Sequence, residues 1–257
     1  MFTETTKKPI KIFISHSSQD IAFVKPIVDL FENIGINENN MFCSSVIGYK
    51  IPLGNNILEY LKNLFKSYDL RVIYVLSENY YNSPICLMEM GATWVLQHRY
   101  TSILLPQFDF SDIKGAINNM DISIKLDSDK SELKARLNEL RDMLIKELNL
   151  EGSSQNKWER HRDEFVDKMS SMESYWKHLQ QLEESNRPFN EWIFPLQKLI
   201  EVNPVCYDAM YMLGSIYVEI KDYNNAIKYL KMTERMSQNK ELKDKASKRL
   251  QELGYTL

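Results

Sequence analysis

The residues best placed to do chemistry lie in one stretch, Ser77-Glu78-Asn79-Tyr80-Tyr81-Asn82-Ser83-Pro84-Ile85-Cys86-Leu87-Met88-Glu89-Met90-Gly91-Ala92-Thr93-Trp94, which gathers hydroxyls, a thiol and a carboxylate. Ser83 suits a helix N-cap and Pro84 the first helical position. Glu89 then falls beyond the first turn, too deep to act only on the helix dipole. Its neighbours Leu87, Met88, Met90 and Gly91 are apolar or small, so the helix is expected to pack tightly while presenting one acid. A carboxylate facing a ligand stabilises developing positive charge and accepts hydrogen bonds from hydroxyls. Taken alone, the same glutamate reads equally as a solvent-facing helical side chain. A second polar cluster, Ser15-His16-Ser17-Ser18-Gln19-Asp20, follows the apolar run Ile10–Ile14. Its hydroxyls and the helix start behind it can hold an anion, and they serve equally as turn and cap. The cluster lacks glycine, and a Walker lysine loop is missing, which argues against a Rossmann dehydrogenase and against an NTPase.

These clusters need elements to carry them. Ile10–Ile14 reads as a buried strand, and a helix is expected from Asp20 to Asn33, with Phe23, Ile27, Leu30, Phe31 and Ile34 at helical spacing. A short strand follows at Met41–Cys43, then the loop Val46–Gly54. Asn55 or Asn56 caps a helix whose apolar face is Ile57, Leu58, Leu61, Leu64 and Phe65. The strongest strand signal is Leu70–Leu76, stopping at Ser77. A helix over Pro84–Gln97 places Trp94 on its sheet-facing side, a strand covers Ser102–Leu105, and a weaker strand at Ser123–Leu126 precedes a helix over Lys130–Leu148. Strands alternating with helices of this length predict a parallel sheet covered on both faces. In such a sheet ligands gather at the carboxyl ends of the strands, where Ser15–Asp20, Ser44–Gly54, Ser77–Glu89 and the loop after Leu105 should meet.

After Glu151–Asn156, which reads as a hinge, the strand signals vanish. Leu213-Gly214, Tyr217, Ala226 and Leu230 within Tyr207–Gln238 fit a tetratricopeptide (TPR) spacing. One period earlier a unit starts at Glu173, with Trp176, Leu179, Trp192, Leu196 and Leu199, and closes at Asn203-Pro204. A last helix near Glu241 has Ala246, Leu250 and Leu253 as its apolar side. Large residues such as Trp192 at small-residue positions make the repeat degenerate. The expected organisation is a tail over 1–9, an α/β domain over 10–150, a linker or helix over 151–172, and TPR-like repeats with a capping helix over 173–257.

Composition narrows the function classes. The 257 residues carry a net charge of -3, with 44% apolar and 26% charged residues, as in globular proteins. Lys+Arg against Asp+Glu is 16 against 18 in residues 1–150 and 16 against 17 in 151–257, so neither half is a basic surface for long nucleic acid. Cys43, Cys86 and Cys206 form no CxxC, and the four histidines lack metal-ligand spacing, so no metal site is expected. No apolar run approaches a membrane span and the N-terminus lacks a signal-peptide core, giving the expectation of a cytoplasmic protein without membrane or nucleic-acid partners.

Residues 10–148 resemble a TIR (Toll/interleukin-1 receptor) domain of the bacterial type. The resemblance rests on Ile12-Phe13-Ile14-Ser15-His16-Ser17-Ser18-Gln19-Asp20, on Gly48–Gly54 in the place of the family's BB loop, and on Ser77-x-x-Tyr80-x-x-Ser83-x-x-Cys86-x-x-Glu89. It implies a flavodoxin-like five-stranded parallel sheet. It also implies cleavage of NAD+ at the nicotinamide–ribose bond, to nicotinamide and ADP-ribose or a cyclic isomer. Glu89 would be the catalytic acid, with NAD+ as substrate and no other cofactor. Ser15, His16, Ser17, Tyr49, Ile51, Ser77, Tyr80, Ser83 and Cys86 are the expected substrate-binding positions. Departures from relatives are His16-Ser17, where many have arginine, and Ile85, where many have tryptophan. The resemblance further implies TIR–TIR self-association into oligomers or filaments that activates catalysis, and a role in defence against phage. The TPR-like region is the expected docking element for a protein partner. Two other readings compete: a non-catalytic adaptor joining partners through sheet edges and the Gly48–Gly54 loop, and a nucleoside deoxyribosyltransferase-like enzyme, which also uses a glutamate.

Overall fold

The computed structural model describes residues 8–49, 51, 54–237 and 239–255; Lys50, Pro52 and Leu53 of the Gly48–Gly54 loop, Gln238, and most of the 1–9 tail lie outside them. The chain divides into two compact units, Met1–Phe165 and Val166–Leu257.

The first unit is built on five strands, β1 (Ile10–Ser15), β2 (Met41–Phe42), β3 (Asp69–Leu76), β4 (Arg99–Leu104) and β5 (Ile124–Lys125). All neighbours are parallel, in the order β2-β1-β3-β4-β5. The expected alternation of strand and helix thus closes into the expected sheet. β3 lies at the centre because seven of its eight residues are buried, which requires cover on both faces. Registration pairs Ser15 with Tyr74 and Leu76 with Leu104. The chain runs from β1 outward to β2 and then returns to β3 on the other side of β1, so the switch point of the topology is the crevice between the ends of β1 and β3.

The helices of this unit are α1 (Ile21–Glu32), α2 (Ile57–Ser67), the single turn α3 (Glu78–Tyr81), α4 (Pro84–Val95) and α5 (Lys130–Leu148). Asn56 caps α2 by accepting from the Leu58 and Glu59 amides. α2 buries Leu61, Leu64 and Phe65, but Ile57 and Leu58, expected on the same face, are exposed. They sit in the first turn, before the helix axis has brought the stripe onto the sheet. One face of the sheet carries Phe13, Phe42, Val72, Tyr74 and Leu76, packed with Phe65, Tyr80, Cys86 and Met90. Arg71, buried at the start of β3, is held bidentately by Glu147 of α5 and donates to the Tyr100 carbonyl at 3.2 Å.

Helix α6 (Gln155–Glu184) is thirty residues long and contains the border between the two units; it runs without a break through position 173, where the sequence reading started its first repeat. The second unit continues with α7 (Ile193–Val202), α8 (Tyr207–Glu219), α9 (Tyr223–Met236) and α10 (Lys240–Glu252). Leu196, Leu199, Leu213, Ala226, Leu230, Ala246 and Leu250 are all essentially buried. α8 and α9 approach closely at Gly214, where an added Cβ would lie 2.9 Å from the Leu230 side chain and 3.2 Å from its amide nitrogen. Glycine is needed there for space. Among the described residues no helix is long and apolar enough to cross a membrane.

Candidate active site

The period-two alternation of β1 puts Ser15 on the same face as Phe13, the face that α4 covers. On α4 the buried residues are Cys86, Glu89, Met90 and Thr93, the i, i+3, i+4, i+7 stripe of a helix lying on a sheet. Ser83 caps this helix by accepting from the Cys86 amide at 3.4 Å, and Pro84 occupies its first turn. These two local rules set the rotation of α4 and turn Glu89 inward.

At the meeting point Ser15 Oγ donates to Glu89 Oε2 at 2.5 Å. The Tyr80 hydroxyl lies 3.0 Å from Ser15 Oγ and donates to the Cys86 carbonyl at 3.0 Å. Glu89 is 8% exposed and Tyr80 fully buried. Burial raises the Glu89 carboxyl from 4.5 to about 7, and the bond from Ser15 offsets part of that rise. Burial also lifts the Tyr80 phenol well above its ordinary range and the Cys86 thiol to about 12, so neither ionises at neutral pH. The Thr93 hydroxyl donates to the Glu89 carbonyl at 2.8 Å, tying the helix backbone beneath the acid.

The neighbouring loop ends are tied by a carboxylate the sequence reading did not single out. Asp20 is buried and accepts from Ser77 Oγ at 2.6 Å and from Asn79 Nδ2 at 2.8 Å. Ser77 Oγ in turn accepts from the Tyr80 amide at 3.0 Å, capping α3. Asp20 therefore joins the loop after β1 to the loop after β3 across the switch point. Its one sequence signal is an acid at a helix start, which does not distinguish this role from an ordinary cap.

His16 is buried, and its Nδ1–H donates to the Ile14 carbonyl at 3.0 Å, since a carbonyl can only accept. That fixes the tautomer and leaves Nε2 as an unprotonated acceptor without a hydrogen-bond partner among the described residues. Desolvation lowers its pKa to about 4, so the ring is neutral. Ser17 is buried and caps the short turn at Ser18–Asp20, accepting from the Gln19 amide at 3.4 Å.

Of the expected substrate-binding positions, Ser15 and Tyr80 are hydrogen-bonded in one group with Glu89, and Cys86 joins it through its carbonyl. Ser77 and Ser83 act as helix caps beside it. Tyr49 is engaged elsewhere, its hydroxyl donating to Glu32 of α1 at 2.8 Å. Ile51 is half-buried against the core under α2 and α4. Trp94, expected to face the sheet, is 67% exposed: one residue beyond Thr93, it rotates off the buried stripe. Leu87 and Met88 are likewise exposed, so α4 packs by one narrow face only. Beside Glu89 an apolar groove of about 300 Å³ lies between α2 and α4, lined chiefly by Leu61, Phe65, Met88 and Ala92 and flanked by Lys62 and Lys66.

The 2-1-3-4-5 order of the parallel sheet agrees with the comparison with known families, in which residues 12–138 match the TIR_2 family, described as TIR domain. Residues 12–138 are a TIR domain. The chain is also 38% identical over 162 residues to the uncharacterized protein YddK of Bacillus subtilis (strain 168), a match covering 62% of this chain and 57% of that protein. The chain thus spans little more than half the length of this curated relative. The TIR domain is followed by the helical region α6–α10.

Proposed function

We propose that the TIR domain cleaves NAD+ at the nicotinamide–ribose bond, yielding nicotinamide and ADP-ribose or a cyclic isomer, with Glu89 as the catalytic carboxylate. The observation that carries this reading is a desolvated acid, hydrogen-bonded to Ser15, at the strand ends where open parallel sheets bind ligands. The chemistry asks for little else. Nicotinamide leaves NAD+ as a neutral base, so no general acid is required. The ribose left behind takes on oxocarbenium character, and an anion beside it in a low-dielectric pocket stabilises that charge. The raised pKa of Glu89 fits the role: a cationic pyridinium would pull the carboxyl back toward ionisation as it binds. Ser15 keeps the carboxylate oriented, and the unpartnered Nε2 of neutral His16 is suited to accept from a sugar hydroxyl or an amide.

The test is direct. Concentrated full-length protein is incubated with NAD+ or with a deoxynucleoside, and base release is followed by chromatography. Release of nicotinamide that falls by roughly 10²-fold in Glu89→Gln supports the proposal. Release from the deoxynucleoside instead points to a deoxyribosyltransferase-like enzyme, and no release that depends on Glu89 sinks the catalytic reading.

A second reading, that this TIR domain works by assembly, is favoured by the exposed Leu87, Met88, Trp94 and Val95 on α4. We propose that copies meet through this face and that assembly raises NAD+ turnover; a non-catalytic adaptor would assemble with no turnover at all. The helical C-terminal region is proposed as a TPR-like element for self-association or for one protein partner. The accompanying biological proposal is NAD+ depletion or nucleotide signalling in the cytoplasm during phage infection. Phage plating on cells expressing wild type or Glu89→Gln tests it.

A further inference from the structure

Three hydroxyl-bearing or acidic groups in a row, Glu89, Ser15 and Tyr80, end on a backbone carbonyl, and their hydrogens can be counted. Ser15 and Tyr80 each own one hydroxyl proton; Glu89 owns a proton only when neutral. With Glu89 ionised, the Ser15 proton goes to Glu89 Oε2, and the Tyr80 proton has the Cys86 carbonyl and Ser15 Oγ as alternative acceptors. With Glu89 neutral, its own proton goes to Ser15 Oγ. The Ser15 hydroxyl then rotates to donate to Tyr80, and Tyr80 donates to Cys86. All three bonds are then made in one direction. We propose that Ser15 and Tyr80 are positioning residues that form with Glu89 a reversible hydrogen-bond chain, whose direction follows the charge on the carboxylate.

The two residues therefore act in opposite senses. Ser15 supplies the charge-assisted bond of the ionised acid and favours the anion. Tyr80, whose own proton is held by the Cys86 carbonyl, supplies the acceptor that Ser15 needs only when the acid is neutral, and favours the proton-bearing form. Ser15 is 1% exposed and Tyr80 fully buried, so no described feature offers water an easy substitute for either partner. Like Tyr80 itself, Cys43 behind β2, Cys86 on α4 and Tyr74 on β3 feel the charge on Glu89, and each is held neutral by burial. His16 next to Ser15 is neutral. Lys62 and Lys66 of α2 flank the adjoining groove. Asp20 is bonded to Ser77 and Asn79. The chain of hydroxyls is the adjustable contact.

The consequence for catalysis rests on the proposed NAD+ cleavage, but the chain itself can be tested without substrate. Glutamate carboxyl carbons are labelled with carbon-13 in the full-length protein, the Glu89 signal is assigned by its loss in Glu89→Gln, and its titration is followed by NMR. Ser15→Ala is expected to raise the Glu89 midpoint by about one pH unit, and Tyr80→Phe to lower it. Opposite shifts are the signature, because a purely structural loosening of the site would hydrate Glu89 and lower the midpoint in both variants. Ser15→Thr, which keeps the hydroxyl, is expected to restore the wild-type midpoint. Shifts of the same sign, or no shift in either variant, overturn the chain. Loss of NAD+ cleavage as the true activity would leave these titrations unchanged, so the two proposals fail separately.

Discussion

Removing the charge from residue 89 while keeping its shape should change how stability depends on pH. Burial raises the Glu89 carboxyl from its ordinary 4.5 to about 7. Because the folded-state value lies above the unfolded one, the contribution is fully present below pH 4.5 and is lost as pH rises through 7. A rise of this size corresponds to about 3 kcal/mol of stability forfeited above neutrality. With Glu89 only 8% exposed, solvent screens this effect little. Glu89→Gln keeps an acceptor for Ser15 and carries no charge at any pH. Urea unfolding of the full chain by circular dichroism should therefore find the variant close to wild type at pH 5 and about 3 kcal/mol more stable at pH 8. His16 works against this in wild type. Its depressed pKa of about 4 makes its contribution present above 6.5 and lost as pH falls through 4. Comparing variant with wild type at each pH cancels the histidine. A gap between the two proteins that stays constant from pH 5 to pH 8 would refute a desolvated, titrating Glu89.

Other outcomes follow from the same geometry. If the anion is the working form, kcat/KM for NAD+ should rise with pH through about 7, and a flat profile from pH 5.5 to 8.5 would contradict it. Glu147→Ala strands buried Arg71 with only the Tyr100 carbonyl, and thermal or urea unfolding should report a loss of roughly 3 kcal/mol; a loss below about 1 kcal/mol would mean the pair is hydrated. Gly214→Ala forces a methyl onto Leu230 and its backbone and should cost about 1–3 kcal/mol, read as earlier unfolding of the C-terminal helices. Met88→Glu with Trp94→Arg should leave the monomer folded while abolishing assembly in analytical ultracentrifugation; unchanged assembly would remove this face from the interface.

The fold was largely legible because its signals are local and mutually consistent. Apolar-rich runs at Ile10–Ile14 and Leu70–Leu76, each interrupted by one basic residue, point to strands covered on both faces, and Ser83-Pro84 marks a helix start by capping chemistry alone. Glu89 was legible as a candidate through its motif, and its inward rotation follows from sharing a stripe with Cys86, Met90 and Thr93. Trp94 misled because its size suggests burial, whereas helical geometry one step past Thr93 points it outward. Asp20 is visible in the sequence as a member of the Ser15–Asp20 cluster, but not its bridging role, because its partners Ser77 and Asn79 come from a loop more than fifty residues away and such pairing leaves no periodic trace. The edges of β4 were misjudged for a related reason: Arg99–Thr101 are polar and half-buried, yet they pair with β3 in full register.

The sheet ends on each side in a strand of two residues, Met41–Phe42 at one margin and Ile124–Lys125 at the other. Such stubs offer scarcely any free ladder of amides and carbonyls for a foreign strand to zip onto. Polymerisation of this domain by cross-strand stacking is thereby discouraged, and whatever larger architecture it builds must be mortared with side chains from its helical flanks, a joint that can be taken apart again.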